Sequence, residues 1–246
     1  MADGLYVFLD FDNTLSEMSG LQTQYVQAVS WILSGEFGRE ASQWAPIIKT
    51  ELESSIVHYA ETFVGNPLAG YNTWIEKERE RAAAAVFSKM GIQAPAGESL
   101  HALAKRVQFD ALASCNAMLP GAEEMLEGLK AGGVNINMAS TQESEYLLAA
   151  LIGAGVESYV ETKFGPDLVD CAKEGPEFYR RIFATREIRP SQAVVVDDQA
   201  MCLDWAEEAG ARIVQACTSP SAEEPEFPVV LRNLKDLPRL LSMGVA

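Results

Sequence analysis

The sequence predicts an α/β protein with a doubly wound, mostly parallel sheet and an inserted unit of four helices. Three observations lead to this fold class. From residue 120 onward, short apolar runs that end in polar residues alternate with amphipathic segments, as in the β-α units of parallel sheets. One apolar run, Leu5 to Leu9, stands alone near the start. Residues 20–118, which follow it, show only helical periodicity.

The first strand ends in two acids. The run from Leu5 to Leu9 is bounded by turn residues and predicts a buried strand, after which come Asp10 and Asp12. Ligands of open α/β sheets bind outside the carboxyl ends of the strands. Both side chains point to one side if the strand continues through Asp12, whereas a bend would turn Asp12 back over the site. The same residues also fit a plain strand followed by an Asp-Asn turn that caps a helix.

The two carboxylates need a compensating charge. At ~4 Å and an effective dielectric constant of about 20 they repel each other by roughly 4 kcal/mol. A divalent cation is the usual way in which proteins offset such repulsion. The pair therefore indicates a cation site beside the first strand.

Residues 20–118 predict four amphipathic helices that pack on one another. Their apolar stripes are Leu21, Tyr25, Val29 and Ile32; Ile48, Leu52, Ile56, Tyr59, Ala60 and Phe63; Tyr71, Trp74 and Ile75, continuing to Met90; and Leu100, Leu103, Ala104, Val107 and Ala111. We expect a helical domain over residues 17–118. The α/β core would then be discontinuous, over residues 1–16 and 119–246, with hinges at residues 16–20 and 117–119.

The remaining segments alternate between helix and strand. The predicted elements, in order, are a helix at 121–131, a strand at 134–139, a helix at 143–153, a strand at 158–162, a helix at 175–185, a strand at 193–196, a helix at 201–209, a strand at 212–216, an edge strand at 228–231 and a helix at 234–241.

Polar side chains stand beside three of these segments, after two strands and before one helix. Ser140 and Thr141 come after one strand, and Asp197 and Asp198 after another, while Lys173 precedes a helix that starts near Pro176. Together with the first acids they are suited to bind one phosphate and one metal ion. The simpler alternatives are a solvated lysine before a helix and, for Ser140, a helix N-cap.

These motifs, in this order, resemble those of the haloacid dehalogenase-like (HAD) superfamily of phosphohydrolases. Asp10-Phe11-Asp12-Asn13-Thr14 matches its DxDx[TV] motif, Ser140 its hydroxyl motif, Lys173 with Pro176-Glu177 its lysine motif, and Asp197-Asp198 its acidic motif. Two departures are Glu174, where the family often has proline, and Gln199 with Cys202, where a further Ser or acid is common. The helical segment falls where these families carry a cap.

The resemblance implies an aspartyl-phosphate mechanism on a small phosphorylated metabolite, with Mg²⁺ as the cofactor. Asp10 would be the nucleophile, and Asp12 the acid that protonates the leaving alcohol and later the base that activates water.

The same resemblance implies how the phosphate and the metal are bound. Asp10, Asp198 and the backbone carbonyl of Asp12 would bind Mg²⁺. Asp197 would hold a metal-bound water or Lys173. The phosphate ligands would be Ser140, Thr141 through its backbone or its side chain, and Lys173.

Three other functions remain open at this stage. Dehalogenases of the family lack an acid two positions after the nucleophile, so Asp12 favours phosphate chemistry. A phosphomutase that resembles β-phosphoglucomutase shares every motif and returns the phosphoryl group to a sugar. An inactive binding protein would normally have lost one of the acids or the lysine.

The composition limits the classes of binding partner and indicates the cellular compartment. The net charge of −16 argues against binding to nucleic acid or to anionic membranes. The four cysteines show no zinc spacing, which suits reduced thiols, and we expect a cytoplasmic protein. No apolar segment reaches the length that spans a bilayer. The oligomeric state is not predicted.

Overall fold

A computed structural model describes residues 4–220, 222 and 224–244. The other positions, 1–3, 221, 223 and 245–246, belong to the predicted core segments and lie outside the described residues. The strands are β1 (Tyr6–Leu9), β2 (Asn135–Ala139), β3 (Thr162–Phe164), β4 (Ala193–Asp197), β5 (Arg212–Ala216) and β6 (Val230–Leu231). The α-helices are α1 (Met18–Phe37), α2 (Ala41–Phe63), α3 (Tyr71–Met90), α4 (Leu100–Leu112), α5 (Ala122–Ala131), α6 (Ser144–Gly153), α7 (Pro166–Val169), α8 (Pro176–Thr185), α9 (Ala200–Glu208) and α10 (Leu237–Ser242).

The strands form one parallel sheet in the order β3-β2-β1-β4-β5-β6. This order confirms the predicted doubly wound α/β fold, and it is the classical arrangement whose switch point binds ligands. The switch point lies between β1 and β4, where the chain changes its direction of winding. Since β1 and β4 deliver Asp10 and Asp197, the topology brings these two acids to one place.

Both faces of the sheet are covered, which explains the continuous apolar strands. Val7 and Leu9 of β1 pack in a cluster with α5 and α6, while Phe8 packs on the other face with α8 and α9. The side chains of Val7, Phe8 and Leu9 are fully buried.

The helices α1 to α4 pack on one another: α1 contacts α2 and α4, and α3 contacts the same two helices. Their shared apolar cluster includes Trp44, Phe87 and Leu103. The two connections to the sheet run side by side, since Ser16 pairs with Met118. We keep 17–118 as the proposed limits of the helical domain. Against the core, α4 packs on α6 and α3 on α7.

Two local predictions are wrong. Residues 158–162 do not form a strand: Glu157–Tyr159 is a 3₁₀ turn, and β3 begins at Thr162, because this register buries Phe164 beside β2. On α2, Ile56 and Ala60 are exposed. The face of α2 that packs on α3 carries the buried Glu51. Ile56 lies on another face of the helix, which is exposed to solvent.

Candidate active site

Asp10 lies immediately beyond β1 at the switch point. Its backbone N–H donates to the carbonyl of Val196 at 2.9 Å, which ties the end of β1 to β4. The strand stops at Leu9, and the chain then bends tightly, with the N–H groups of Leu15 and Ser16 both donating to the carbonyl of Phe11. The strand therefore does not continue through Asp12, and the bend considered as the second geometry begins directly after β1.

Lys173 lies at the centre of the buried charges. Its ammonium donates to Asp10 Oδ1 at 2.8 Å, to the carbonyl of Ala139 at 2.9 Å and to Asp197 Oδ2 at 2.6 Å. The residue is 2% exposed, so the alternative of a solvated lysine before a helix is wrong. Burial alone would lower the pKa of Lys173, but the facing charges of Asp10 and Asp197 raise it well above its usual value. Lys173 thus carries a full positive charge between two acids.

Asp197 and Asp198 differ in their hydrogen bonding. The two oxygens of Asp197 accept from Lys173 and from the backbone N–H of Gln199. Oδ1 of Asp198, by contrast, is buried and has no partner in the described part of the chain. A buried acceptor without a partner costs free energy, and such an atom commonly marks an absent ion or water.

Carboxylate oxygens of Asp10, Asp197 and Asp198 lie within 4.8 Å of one another. Burial, with the charges of Asp10 and Asp197, raises the pKa of Asp198 to about 8. Burial also raises the pKa of Asp197 to about 6, against the opposing charge of Lys173. This donor set of hard oxygens fits Mg²⁺, which prefers few carboxylates and several waters. The carboxylate of Asp12 is not part of this group among the described residues.

Asp12 is placed by the β2–α6 loop. Its Oδ2 accepts a hydrogen bond from Nε2 of Gln142 at 2.9 Å, while its Oδ1 is buried without a partner among the described residues. Burial raises the pKa of Asp12, and the hydrogen bond from Gln142 and the charge of Lys173 lower it by less.

The two hydroxyl residues that are predicted to bind phosphate lie in the same β2–α6 loop. Ser140 is fully buried, and its Oγ accepts from the backbone N–H of Gln142 at 3.3 Å, while Thr141 is half-buried. Oγ of Ser140 does not cap α6, whose N-cap residue is Glu143. The structure therefore brings Ser140 and Thr141 to the edge of the sheet that carries Asp10 and Lys173.

Sequence reasoning missed two residues here. Gln142 contacts Asp12, and Glu143 forms an ion pair with Arg79 of α3. Their position directly after the hydroxyl motif is the one sequence signal that pointed to this loop. Nothing in residue type or spacing marked Arg79, because it lies on a helix whose other charges are mostly solvated.

A doubly wound sheet with a lysine–aspartate cluster at its switch point, combined with helices inserted after β1, defines a class of hydrolases. The family model described as haloacid dehalogenase-like hydrolase matches residues 6–210. The chain belongs to this family.

Solved structures with the same fold cover nearly the whole chain. A defluorinating L-2-haloacid dehalogenase is 16% identical with a TM-score of 0.66, over 97% of this chain and 95% of its own. The L-2-haloacid dehalogenase of Xanthobacter autotrophicus is 19% identical with a TM-score of 0.61, over 98% and 99%. A provisionally assigned HAD-hydrolase from Bacillus subtilis, bound to magnesium, is 12% identical with a TM-score of 0.60, over 96% and 98%. At these identities the likeness shows the fold. A search of curated proteins finds no match.

Proposed function

We propose that this chain is a Mg²⁺-dependent phosphomonoester hydrolase that acts on a small phosphorylated metabolite through an aspartyl-phosphate. The observation that carries the proposal is the pairing of Asp10 with Asp12. Asp10 is held by Lys173, and Asp12 is a half-buried residue whose buried Oδ1 has no partner among the residues that the structure describes. A nucleophile with an acid beside it is the arrangement that phosphoester hydrolysis requires.

In the first half of the reaction, Asp10 attacks phosphorus and Asp12 donates a proton to the departing alcohol oxygen. Lys173 and the hydroxyl of Ser140 stabilise the phosphoryl oxygens, because a buried ammonium and a buried donor act in a low dielectric. In the second half, Asp12 takes a proton from a water molecule whose oxygen attacks phosphorus; the bond between phosphorus and Asp10 breaks, which releases phosphate and restores the Asp10 carboxylate. Asp10, Asp198 and the carbonyl of Asp12 would hold Mg²⁺, which would neutralise negative charge on the phosphate.

A dehalogenase is the second candidate, because L-2-haloacid dehalogenases share the fold over nearly the full chain. Attack on carbon displaces a halide, which needs no proton, so Asp12 and the three-carboxylate cluster favour the phosphatase. A phosphomutase is a third candidate, since it uses the same groups. An inactive binding protein is disfavoured because Asp10, Asp12, Lys173 and Asp198 are all present.

The test compares substrates on one preparation. We expect hydrolysis of p-nitrophenyl phosphate that requires Mg²⁺ and is abolished in Asp10→Asn. Asp12→Asn should form the phosphoryl-enzyme in a burst and release it slowly. Chloride release from L-2-chloropropionate, with no phosphate hydrolysis, would establish the dehalogenase instead. Conversion of glucose 1-phosphate to the 6-isomer would establish the mutase, and inactivity of the folded protein on a panel of phosphorylated metabolites would favour the binding protein.

A further inference from the structure

The side chain of Gln142 contacts the carboxyl group that our proposed function assigns as the general acid. Its Nε2 donates to Oδ2 of Asp12 at 2.9 Å. Within the described residues, the other oxygen of that carboxyl, Oδ1, is buried and has no partner. Gln142 therefore distinguishes the two oxygens of Asp12.

The chemistry of the amide makes this distinction useful. An amide NH₂ group donates and does not accept, so the oxygen that faces Nε2 is kept as an acceptor. A proton carried by Asp12 then resides on Oδ1, the oxygen that is free to face a leaving group. We propose that Gln142 is a positioning residue that orients Asp12 so that Oδ1 delivers the proton. This inference rests on the proposed phosphatase reaction.

The loop that carries Gln142 is held in place by the next β-α connection. A Cβ atom at Gly165 would overlap the carbonyl oxygen of Gln142, so the two backbones are in direct contact. Asp167 accepts hydrogen bonds from the backbone N–H and the hydroxyl of Ser144. A side chain that orients a catalytic group is effective only when its own backbone is fixed, and these contacts meet that condition.

The neighbouring residue connects the same loop to the inserted helices. The carboxylate of Glu143 forms an ion pair with Arg79 of α3, and both side chains are about nine-tenths buried. Gln142 and Glu143 thus tie Asp12 to one helix of the inserted unit through two adjacent residues. The residue that contacts Asp12 is thus the chain neighbour of a residue that contacts α3.

A change of leaving group tests the proposal in solution. A p-nitrophenolate ion leaves without a proton, whereas an alkyl alcohol needs one, so a misplaced acid harms alkyl phosphates selectively. In Gln142→Met, which keeps the side-chain length and removes the donor, we expect kcat/KM for glycerol phosphate to fall at least tenfold more than for p-nitrophenyl phosphate. Gln192→Ala, at the opposite edge of the sheet, is the control and should leave both values unchanged. An equal fall for both substrates would assign Gln142 a merely structural role and overturn the proposal.

A crystal structure tests the orientation of Asp12 directly and does not depend on enzyme activity. In a crystal structure of Gln142→Met, the Asp12 carboxyl should rotate away from its wild-type orientation or occupy more than one, and an unchanged single orientation would overturn the proposal. Gln142→Ala replaces Gln142→Met in both experiments if the latter fails to fold. If the wild-type protein hydrolyses neither of these esters nor any member of the panel of phosphorylated metabolites, the phosphatase function fails, and the crystallographic comparison alone decides whether Gln142 positions Asp12.

Discussion

Two clusters of buried carboxylates within the described residues balance their charges in opposite ways. At the carboxyl edge of the sheet, three acids, Asp10, Asp197 and Asp198, share the single ammonium of Lys173. Between α2 and α3, two acids share two cations, and this second cluster consists of Glu51, Glu78, Arg81 and Lys89. We call these the edge cluster and the helix cluster.

The pKa shifts follow from the ratio of acids to cations in each cluster. In the helix cluster, burial alone would raise the pKa of Glu78, but hydrogen bonds from Arg81, Ser55 and His58 outweigh it and lower the value. In the edge cluster, burial and the neighbouring carboxylates raise the pKa of Asp198 to about 8. Partners satisfy the oxygens of Glu51 and Glu78, while Oδ1 of Asp198 has none within the described ranges.

The difference separates structural from functional charge. A buried carboxylate whose charge and hydrogen bonds are satisfied by neighbouring side chains stabilises the packing of two helices. It has no free oxygen and no excess charge with which to bind a ligand. A cluster with excess negative charge and a free acceptor is stable only at a cost, and a bound cation removes that cost. The following predictions test this comparison, from the largest expected effect to the smallest.

Removal of the ammonium should cause the largest loss of stability. Lys173→Met leaves Asp10 and Asp197 buried without a positive partner, which costs about 3–5 kcal/mol of unfolding free energy in metal-free protein. Urea unfolding at pH 7 measures this loss. The control is Lys235→Met, because Lys235 pairs with Glu124 on the surface, where such pairs contribute about 0–1 kcal/mol. Equal losses in the two variants would contradict the central role of Lys173.

Mg²⁺ should stabilise the edge cluster by binding to the folded protein. At a hundred times its Kd, an ion that binds only the native state adds about 2.7 kcal/mol. Asp198→Asn should abolish this gain and, in the absence of Mg²⁺, raise the melting temperature, because the folded protein then no longer has to bury a carboxyl that the unfolded chain leaves ionised in water. Thermal unfolding over a Mg²⁺ titration measures both effects. Asp204→Asn, an exposed acid on α9, should behave as wild type; a full Mg²⁺ shift in Asp198→Asn would exclude Asp198 as a ligand.

The two clusters were not equally predictable. The edge cluster could be predicted because acids that follow apolar strands must meet at the edge of a parallel sheet, whatever the details of packing. Asp10, Asp197 and Asp198 follow from this pattern, whereas Lys173 precedes a helix and its place beside the acids was implied by the family resemblance. Which oxygen lacks a partner depends on side-chain geometry, and no pattern in the sequence encodes it.

The helix cluster was missed for a physical reason. On α2 the buried row runs through Ile48 and Glu51 toward Ser55, while the apolar Ile56 is 57% exposed. A search for apolar periodicity assigns such a polar row to solvent, because it cannot see that α3 supplies Arg81 and Glu78 opposite. Gln142 was not predicted for the same reason: its role depends on a contact with Asp12, a residue that is distant from it in sequence.

A substitution in the helix cluster should have the opposite sign to Asp198→Asn. Glu78→Gln removes the charge that accepts from Arg81 and Ser55, and we expect a loss of about 1–2 kcal/mol, since Arg81 is partly exposed to water. The Mg²⁺-induced shift in melting temperature should persist at its wild-type size. The matched control is Glu80→Gln, an exposed acid on the same helix. Unaltered stability in Glu78→Gln would show that the helix cluster contributes nothing to the packing of α2 on α3.

Glu143 lies between the two cases, since it is paired with Arg79 and yet burial raises its pKa from 4.5 to about 7. Between these values the folded protein holds a proton that the unfolded chain has released. Stability from this group is therefore greatest below pH 4.5 and is lost as pH rises through 7. The unfolding free energy of the wild type, relative to Glu143→Gln, should fall by about 1 kcal/mol between pH 6 and pH 7 in urea titrations. Glu207→Gln, an exposed acid on α9, should leave that slope in place. A relative stability that rises with pH would show that the charge of Arg79 outweighs burial, and Glu143 would then belong with the balanced acids of the helix cluster.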